Sequence, residues 1–521
     1  MTHHLVLVDT TPSHSLDRDD VVLRKGQFTL ANTQLTPQQA MVEDLIAVRA
    51  VLDAAKLPYL LVRGSNGRPV LAVDRALRTS VARALAAAFV NEPFYSKSGK
   101  SRAVFLGDGS LSHSRKARVF RLFRPRIEPN GRLRYGAANG IRLELWDFGA
   151  DEIVAPAENA LMRTSVSRSE AVDATVNLFG LDWPTLEGMF EPHASDVTFD
   201  IDVVFSWVDG TDVEFQRARA ARMRAYVVGE GDDSEARYRQ IDELKYALRS
   251  VYLFAPWVRR IFIVTDSPRP TWLAEHPSVT IVRSEEFFQD PEALPTHNSQ
   301  AVESQLQHIP GLSEHFIYSN DDMFFGRPVS PDMFFSPGGI TKFIEASTRI
   351  GLGDANQERS GFENAARVNR RLLNERFGRV TTRHLEHAAT PLRKSVLLEM
   401  EREFAEDFAR TARSPFRSST DISVTNSLYH YYALLTGRAV TQTQAKVRYV
   451  ETTLAASLGA MDELLRKRSY DFFCLNDGSA PEISVEERTT AVRSFLEHYF
   501  GIPAPWEAAS AGAELGEVQG L

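Results

Sequence analysis

IDVVFSW (201–207) is a nearly continuous apolar run that ends in the polar turn VDGTD (208–212). A run of this kind, apolar on both faces and rich in β-branched and aromatic residues, suits a strand of a mostly parallel sheet covered on both sides. Three more such runs follow, within RRIFIVTD (259–266), VTIVRSEE (279–286) and HFIYSNDD (315–322). A helix is predicted between the first two, at about 235–254, where Leu244, Ala247, Leu248 and Val251 share one face. A shorter helix is predicted over 299–309. Strand alternating with helix points to an open α/β sheet.

On either side of this block the pattern changes. Residues 1–195 read as a smaller α+β domain: short apolar runs (59–62, 69–73), an Ala-rich amphipathic stretch (76–90) and the strand-like IRLELWDF (141–148). Beyond 350 the chain reads as mainly helical. Thr390–Pro391 reads as an N-cap followed by proline at the first helical position, and a second helix is predicted over 424–436, stopping at Gly437. Residues 196–502 are read as a second, larger domain, and 503–521, without period, as a disordered tail.

Composition limits what this architecture can do. With 521 residues the length prior is two to four domains. The formal net charge of −8 argues against nucleic acid as the main partner. A single cysteine, Cys474, excludes both an intramolecular disulfide framework and a Cys-rich zinc site, and it fits a reducing cytoplasmic compartment. Cys474 itself reads as a core residue. The sequence shows no signal-peptide core and no apolar run of 18 residues, so peripheral association is the only membrane contact expected.

The position of the acids is the main chemical clue. Asp209 and Asp212 follow the first strand, Asp266 the second, and Asn320, Asp321 and Asp322 the fourth. Turn preference alone explains any one of them. Gathered at the carboxyl edge of an α/β sheet, where ligands bind, they repel one another unless a cation intervenes. Mg²⁺ takes one or two carboxylates plus phosphate oxygens, so the grouping points to a metal-bound nucleotide diphosphate. Glu303 and Gln307 share a helix face, and the helix start near Asn298–Ser299 offers free amides to a phosphate or a sugar hydroxyl. His387 can serve as base or hydrogen-bond donor, and Arg417, in the polar turn SPFRSSTD beside Asp421, can clamp a phosphate. FFCLNDG (472–478) is strand-like and ends in Asn476–Asp477–Gly478. The basic run SRKARVFRLFRPR (114–126) reads as a solvated strand face, or as a grip on an anionic polymer acceptor.

Taken together, these strings resemble the Stealth family of bacterial capsular and exopolysaccharide phosphotransferases, relatives of the enzyme that tags lysosomal proteins with N-acetylglucosamine 1-phosphate. Four separate family regions have counterparts in order: 201–212, 238–326, 387–423 and 474–478. Ser206 stands where many relatives carry Thr, which keeps the hydroxyl. The resemblance implies a Rossmann-like, glycosyltransferase-A-like sheet that binds a nucleotide sugar. It implies transfer of a sugar 1-phosphate from a UDP-sugar to a hydroxyl of a polysaccharide or other glycan acceptor, with release of UMP, at the cytoplasmic face of the membrane. It implies catalytic roles for His387, Asp322, Glu303 and Arg417, and substrate contacts from Trp207, Asp209, Asp212, Asn320, Asp421 and Asn476. Asp321, Asp322 and Asp477 are implied as ligands of Mg²⁺ or Mn²⁺. Two rivals stay open: a metal-dependent glycosyltransferase that releases UDP, and a noncatalytic glycan-binding protein.

Overall fold

The structure, a computed structural model, describes residues 16–508 except 17, 33, 65–67, 130–131, 224–240 and 479–480. The chain divides between His193 and Ala194 into two compact units. In the first, an eight-stranded and a four-stranded sheet are joined by the helices Pro37–Ala54 and Arg78–Ala88. The first of these helices was not foreseen, although Thr36 and Gln39 form a capping box around Pro37. Part of the basic run is spent inside this unit. Arg126 is buried and pairs with Asp44 (2.8 Å) and Glu43 (2.7 Å). Arg124 also pairs with Asp44 (2.7 Å), Arg118 pairs with Asp147 (3.0 Å), and Arg121 donates to the Ala137 carbonyl (3.1 Å). Arg115, Lys116 and Arg121 stay exposed.

The second unit is built on five strands: β1 (Ile201–Ser206), β2 (Ile261–Val264), β3 (Val279–Val282), β4 (His315–Asn320) and β5 (Thr390–Arg393). Their order is β3-β2-β1-β4-β5, parallel except for β5. The chain winds outward from β1 to β3 and then returns to the other side of β1. That reversal opens a crevice at the carboxyl ends of β1 and β4. The α/β class read from the sequence is thus present, with all four expected parallel strands. One acid inside a strand escaped notice: Asp202 of β1, fully buried, takes Arg259 Nε (2.9 Å) and Nη2 (2.6 Å) and the Ser313 amide (2.8 Å).

Three helix readings are corrected. Thr390–Pro391 opens strand β5, antiparallel to β4, and the helix starts only at Lys394. It breaks at Phe404 and resumes over Ala405–Arg413. The 299–309 helix is two short pieces, Ser299–Glu303 and a 3₁₀ turn at Leu306–His308. Of the 235–254 helix, Glu243–Phe254 is helical and 235–240 lies outside the described residues. The 424–436 segment is helical, opening with a π-helical turn at Val424–Leu428 and continuing as Tyr429–Leu435. It stops near Gly437, which takes φ 75°, the left-handed value that favours glycine.

A second sheet completes the carboxyl edge. Strand Phe472–Asn476 lies between Met323–Phe325, antiparallel, and Val447–Glu451, parallel. The register sets Cys474 opposite Met323 and Asn476 opposite Glu451. Gly478 follows at a spot without room for a side chain, since a Cβ there would stand 1.7 Å from Glu451 Oε1. The tail read from 503 onward is corrected in part: Trp506 is buried and Glu507 pairs with Arg249 (2.5 Å), while 509–521 lies outside the described residues. Among the described residues no helix is long and apolar enough to cross a membrane.

One ion pair ties the helical layer together. Arg438 grips both oxygens of Glu399 (2.6 and 2.8 Å), and Tyr432 adds its hydroxyl (2.7 Å). These hydrogen bonds, Arg438 first, hold the Glu399 carboxyl down at about 2, from an ordinary value of 4.5. The stabilisation is therefore complete above about pH 4.5 and is lost as pH falls towards 2. Glu399 is partly exposed, so the pair contributes about 1 kcal/mol at most. Glu399→Gln should flatten the loss of melting temperature between about pH 5 and 3. An unchanged slope would remove the pair from the acid response.

Candidate active site

The crevice at the switch between β1 and β4 gathers two linked clusters. The first surrounds Glu303. The short helix Ser299–Glu303, opened by Asn298, delivers this carboxylate into the interior beneath β4. Its Oε2 accepts from Thr425 Oγ1 (2.6 Å) in the π-helical turn, and its Oε1 from the Tyr318 hydroxyl (3.4 Å). Ser206, at the end of β1, lies beside Asn320 in the parallel register with β4 and close enough to Tyr318 to temper its rise in pKa. Burial pushes the Glu303 carboxyl up, opposed by Thr425, the Arg417 charge and Tyr318. Arg417 reaches Ser299 Oγ with Nη2 (2.9 Å).

The second cluster surrounds Asp321 and Asp322, in the turn after β4. Asp322 Oδ2 accepts from Asn476 Nδ2 (3.1 Å) and from the Cys474 thiol (3.4 Å). Its Oδ1 is buried and has no protein partner. Burial, the adjoining Asp322 charge and Glu243 push the Asp321 carboxyl far up. Burial pushes Asp322 up too, opposed by the neighbouring His387 and by Asn476 and Cys474. Burial and Asp322 keep Cys474 a thiol, which is why it can donate. His387 meets the Tyr449 ring edge to face at 4.9 Å, and the Tyr449 hydroxyl donates to Asn476 Oδ1 (3.1 Å).

The structure sorts the expected residues. It brings together Glu303, Arg417, Asp321, Asp322, His387 and Asn476. Trp207, just past β1, is buried with an unpartnered Nε1, and Asn320 ends β4 beside Ser206. Asp209 Oδ1 is taken by Thr211 (amide 2.9 Å, hydroxyl 2.7 Å), and Asp212 Oδ1 by the Glu214 amide (2.9 Å) at the start of helix Val213–Met223. Asp266 likewise accepts the Ser284 amide (2.8 Å).

Asp421, expected at the substrate, is 0% exposed and braces the loop. It accepts from Asn298 Nδ2, Ser414 Oγ and the Ser418 amide, each at 2.8 Å. It thereby ties the Arg417 turn to the start of the Ser299–Glu303 helix. Asp477, expected as a metal ligand, pairs with Arg488 (3.6 Å) and accepts from Thr452. Among the described residues no group of three or more His, Cys, Asp or Glu side chains is placed to hold a metal ion. What remains is Asp321 with Asp322. A buried, unpartnered carboxylate oxygen beside a second acid suits a hard divalent cation that draws its other ligands from phosphate. The residues present fit such an ion.

Sequence reasoning missed Tyr318, Thr425 and Tyr449, and read Cys474 as core packing alone. Cys474 could have been caught by the register of its strand; the other three carry no local signal.

Comparison with known proteins bears on the whole chain. The four Stealth protein conserved regions match in order, region 1 over 199–227, region 2 over 237–343, region 3 over 386–434 and region 4 over 462–514. The exopolysaccharide phosphotransferase CpsY of Mycobacterium tuberculosis is 62% identical over 94% of this chain and 93% of its own. The exopolysaccharide phosphotransferase of Nocardia farcinica is 57% identical, over 92% and 89%. Among solved structures, the bifunctional glycosyltransferase WbbM aligns with a TM-score of 0.34 and 11% identity, over 62% of this chain and 54% of that one. The galactosyltransferase LgtC, in complex with donor and acceptor sugar analogs, aligns with a TM-score of 0.29 and 11% identity, over 58% and 96%.

Proposed function

The chain belongs to the Stealth family of exopolysaccharide phosphotransferases, enzymes that transfer sugar phosphate, and from that premise we propose that it moves a sugar 1-phosphate, a hexose or N-acetylhexosamine, from a UDP-sugar to a glycan hydroxyl and releases UMP. The observation that most supports a shared transfer site is one of placement. Residues from all four matched segments converge on one strand edge: Ser206 from the first, Glu303 and Asp322 from the second, His387 and Arg417 from the third, Asn476 from the fourth.

The step is a displacement at the β-phosphorus. The acceptor oxygen bonds to that phosphorus, and the bond from it to the oxygen bridging the two phosphates breaks. The bridging oxygen leaves with UMP. The sugar stays bound to its phosphate, and the product is a phosphodiester. Such transfers depend on positioning and on charge neutralisation. In this reading Arg417 holds the diphosphate and Trp207 lines the donor site. His387 accepts the acceptor's proton on an imidazole nitrogen, kept in place by the nearby Asp322 carboxylate. Glu303, held by Thr425 and Tyr318, faces the Arg417 guanidinium and helps to set its place at the diphosphate. Asp321 and Asp322 would hold Mg²⁺ or Mn²⁺, which would offset the charge of the diphosphate. In this reading the reaction belongs in the cytoplasm, at the inner face of the membrane, where a nucleotide-sugar donor would be met.

Excess chelator should abolish turnover and added Mg²⁺ or Mn²⁺ should restore it; full turnover in chelator would remove the cation from this scheme. The reaction itself is tested by incubating the protein with a panel of UDP-sugars and glycan acceptors and following ³¹P resonances. A new phosphodiester signal on the acceptor supports the reading. Glycan extension without one would sink it.

A further inference from the structure

Tyr449 belongs to the strand Val447–Glu451, between the third and fourth matched segments, so no family region includes it. It is 40% exposed. Its hydroxyl donates to Asn476 Oδ1 (3.1 Å), and its ring receives the His387 ring edge to face (4.9 Å, 63°). The strand register explains both. Tyr449 lies opposite Cys474 in the parallel pair, and Asn476 is two residues further along the same face of the neighbouring strand.

A primary amide has one accepting and one donating end, and which end points where follows from its neighbours. Asp322 Oδ2 needs the donating end of Asn476, and it has it (3.1 Å). The carboxylate sets which end faces it, and the Tyr449 hydroxyl holds the other end by donating to Oδ1 (3.1 Å). Without the hydroxyl the amide is anchored at one end only and can swing away from Asp322. Asp322 Oδ2 then loses a donor, and the carboxylate, with its buried Oδ1 that has no protein partner, is held less firmly.

We propose that Tyr449 is a positioning residue of the transfer reaction, fixing the Asn476 amide towards Asp322 with its hydroxyl and bracing His387 with its ring. The inference rests on the roles given above to Asp322 and His387. Tyr449 acts through these side chains, so its effect belongs to the chemical step rather than to donor affinity.

Two variants separate the hydroxyl from the ring. Y449F should lower kcat about fivefold, the scale of one lost hydrogen bond, and leave the donor KM within about twofold and the melting temperature unchanged. Y449A, which also frees His387, should lower kcat by about fifty-fold, since misplacing a reacting group is costly. A crystal structure of Y449F should show the contact between Asp322 Oδ2 and the Asn476 amide opened beyond about 3.5 Å. The assay counts spent nucleotide of either kind, so release of UDP would overturn the reaction assignment while leaving this test intact. The inference is overturned if Y449F keeps wild-type kcat, if its loss lies in KM alone, or if its kcat falls only with its melting temperature.

Discussion

Asp322→Asn should abolish turnover, by a thousandfold or more on the scale of lost electrostatic stabilisation, and should leave the fold intact. The variant is nearly isosteric. Its amide oxygen can stay where Asp322 Oδ2 accepts from Asn476 and Cys474, so both donors remain satisfied. The amide nitrogen then takes the place of Oδ1, the buried oxygen without a protein partner. The cost of burying a charge is removed while an unpaired buried N–H and a weaker hold on His387 are added, so the melting temperature should stay close to wild type. What is lost is the negative oxygen that the reading assigns to the cation. Thermal melting together with steady-state rates checks both halves. Wild-type rates in Asp322→Asn would end the proposed role of this acid.

Arg417→Lys is the second large effect, a loss of about a hundredfold in kcat/KM. Arg417 uses Nη2 on Ser299 Oγ and lies within electrostatic reach of buried Glu303. A planar guanidinium can hold that hydroxyl and still present other N–H groups to a phosphate. An ammonium on a flexible stem keeps the charge but not the two-point geometry. The loop itself should survive, because Asp421 and its three donors hold it independently of Arg417. Donor binding by calorimetry and the maximal rate are the measurements. An unchanged profile would return Arg417 to a structural role.

The frame of this unit was legible because its signal is local. Four continuous apolar runs became β1 to β4, and the acids after β4 were found where sheet geometry places ligands. The failures have a common cause, contacts distant in sequence. Thr390–Pro391 carries a helix-start signature, yet β4 had an open edge and the segment joined it. Proline is tolerated on an edge strand, where its missing N–H costs no ladder bond. Asp477, expected as a metal ligand, also has a partner no motif foretells, Arg488 on the helix Val485–Tyr499 (3.6 Å). Asp421 looked like a substrate contact, but its oxygens face Asn298, Ser414 and Ser418. Arg118, Arg124 and Arg126 of the basic run pair with Asp147, Asp44 and Glu43 from other elements, contacts that no local pattern shows. A motif shows which side chains lie near one another in sequence, and only the packing shows which of them still has a free valence.

The central claim is attack at phosphorus, and the spent nucleotide tests it most directly. A metal–diphosphate site of this kind serves attack at the anomeric carbon equally well, so geometry does not separate the two. With a UDP-sugar that the protein turns over, chromatography of the nucleotide pool should show one UMP for each acceptor modified and no UDP beyond the background of a protein-free control. Stoichiometric UDP would contradict the account and make the protein a glycosyltransferase on the same sheet.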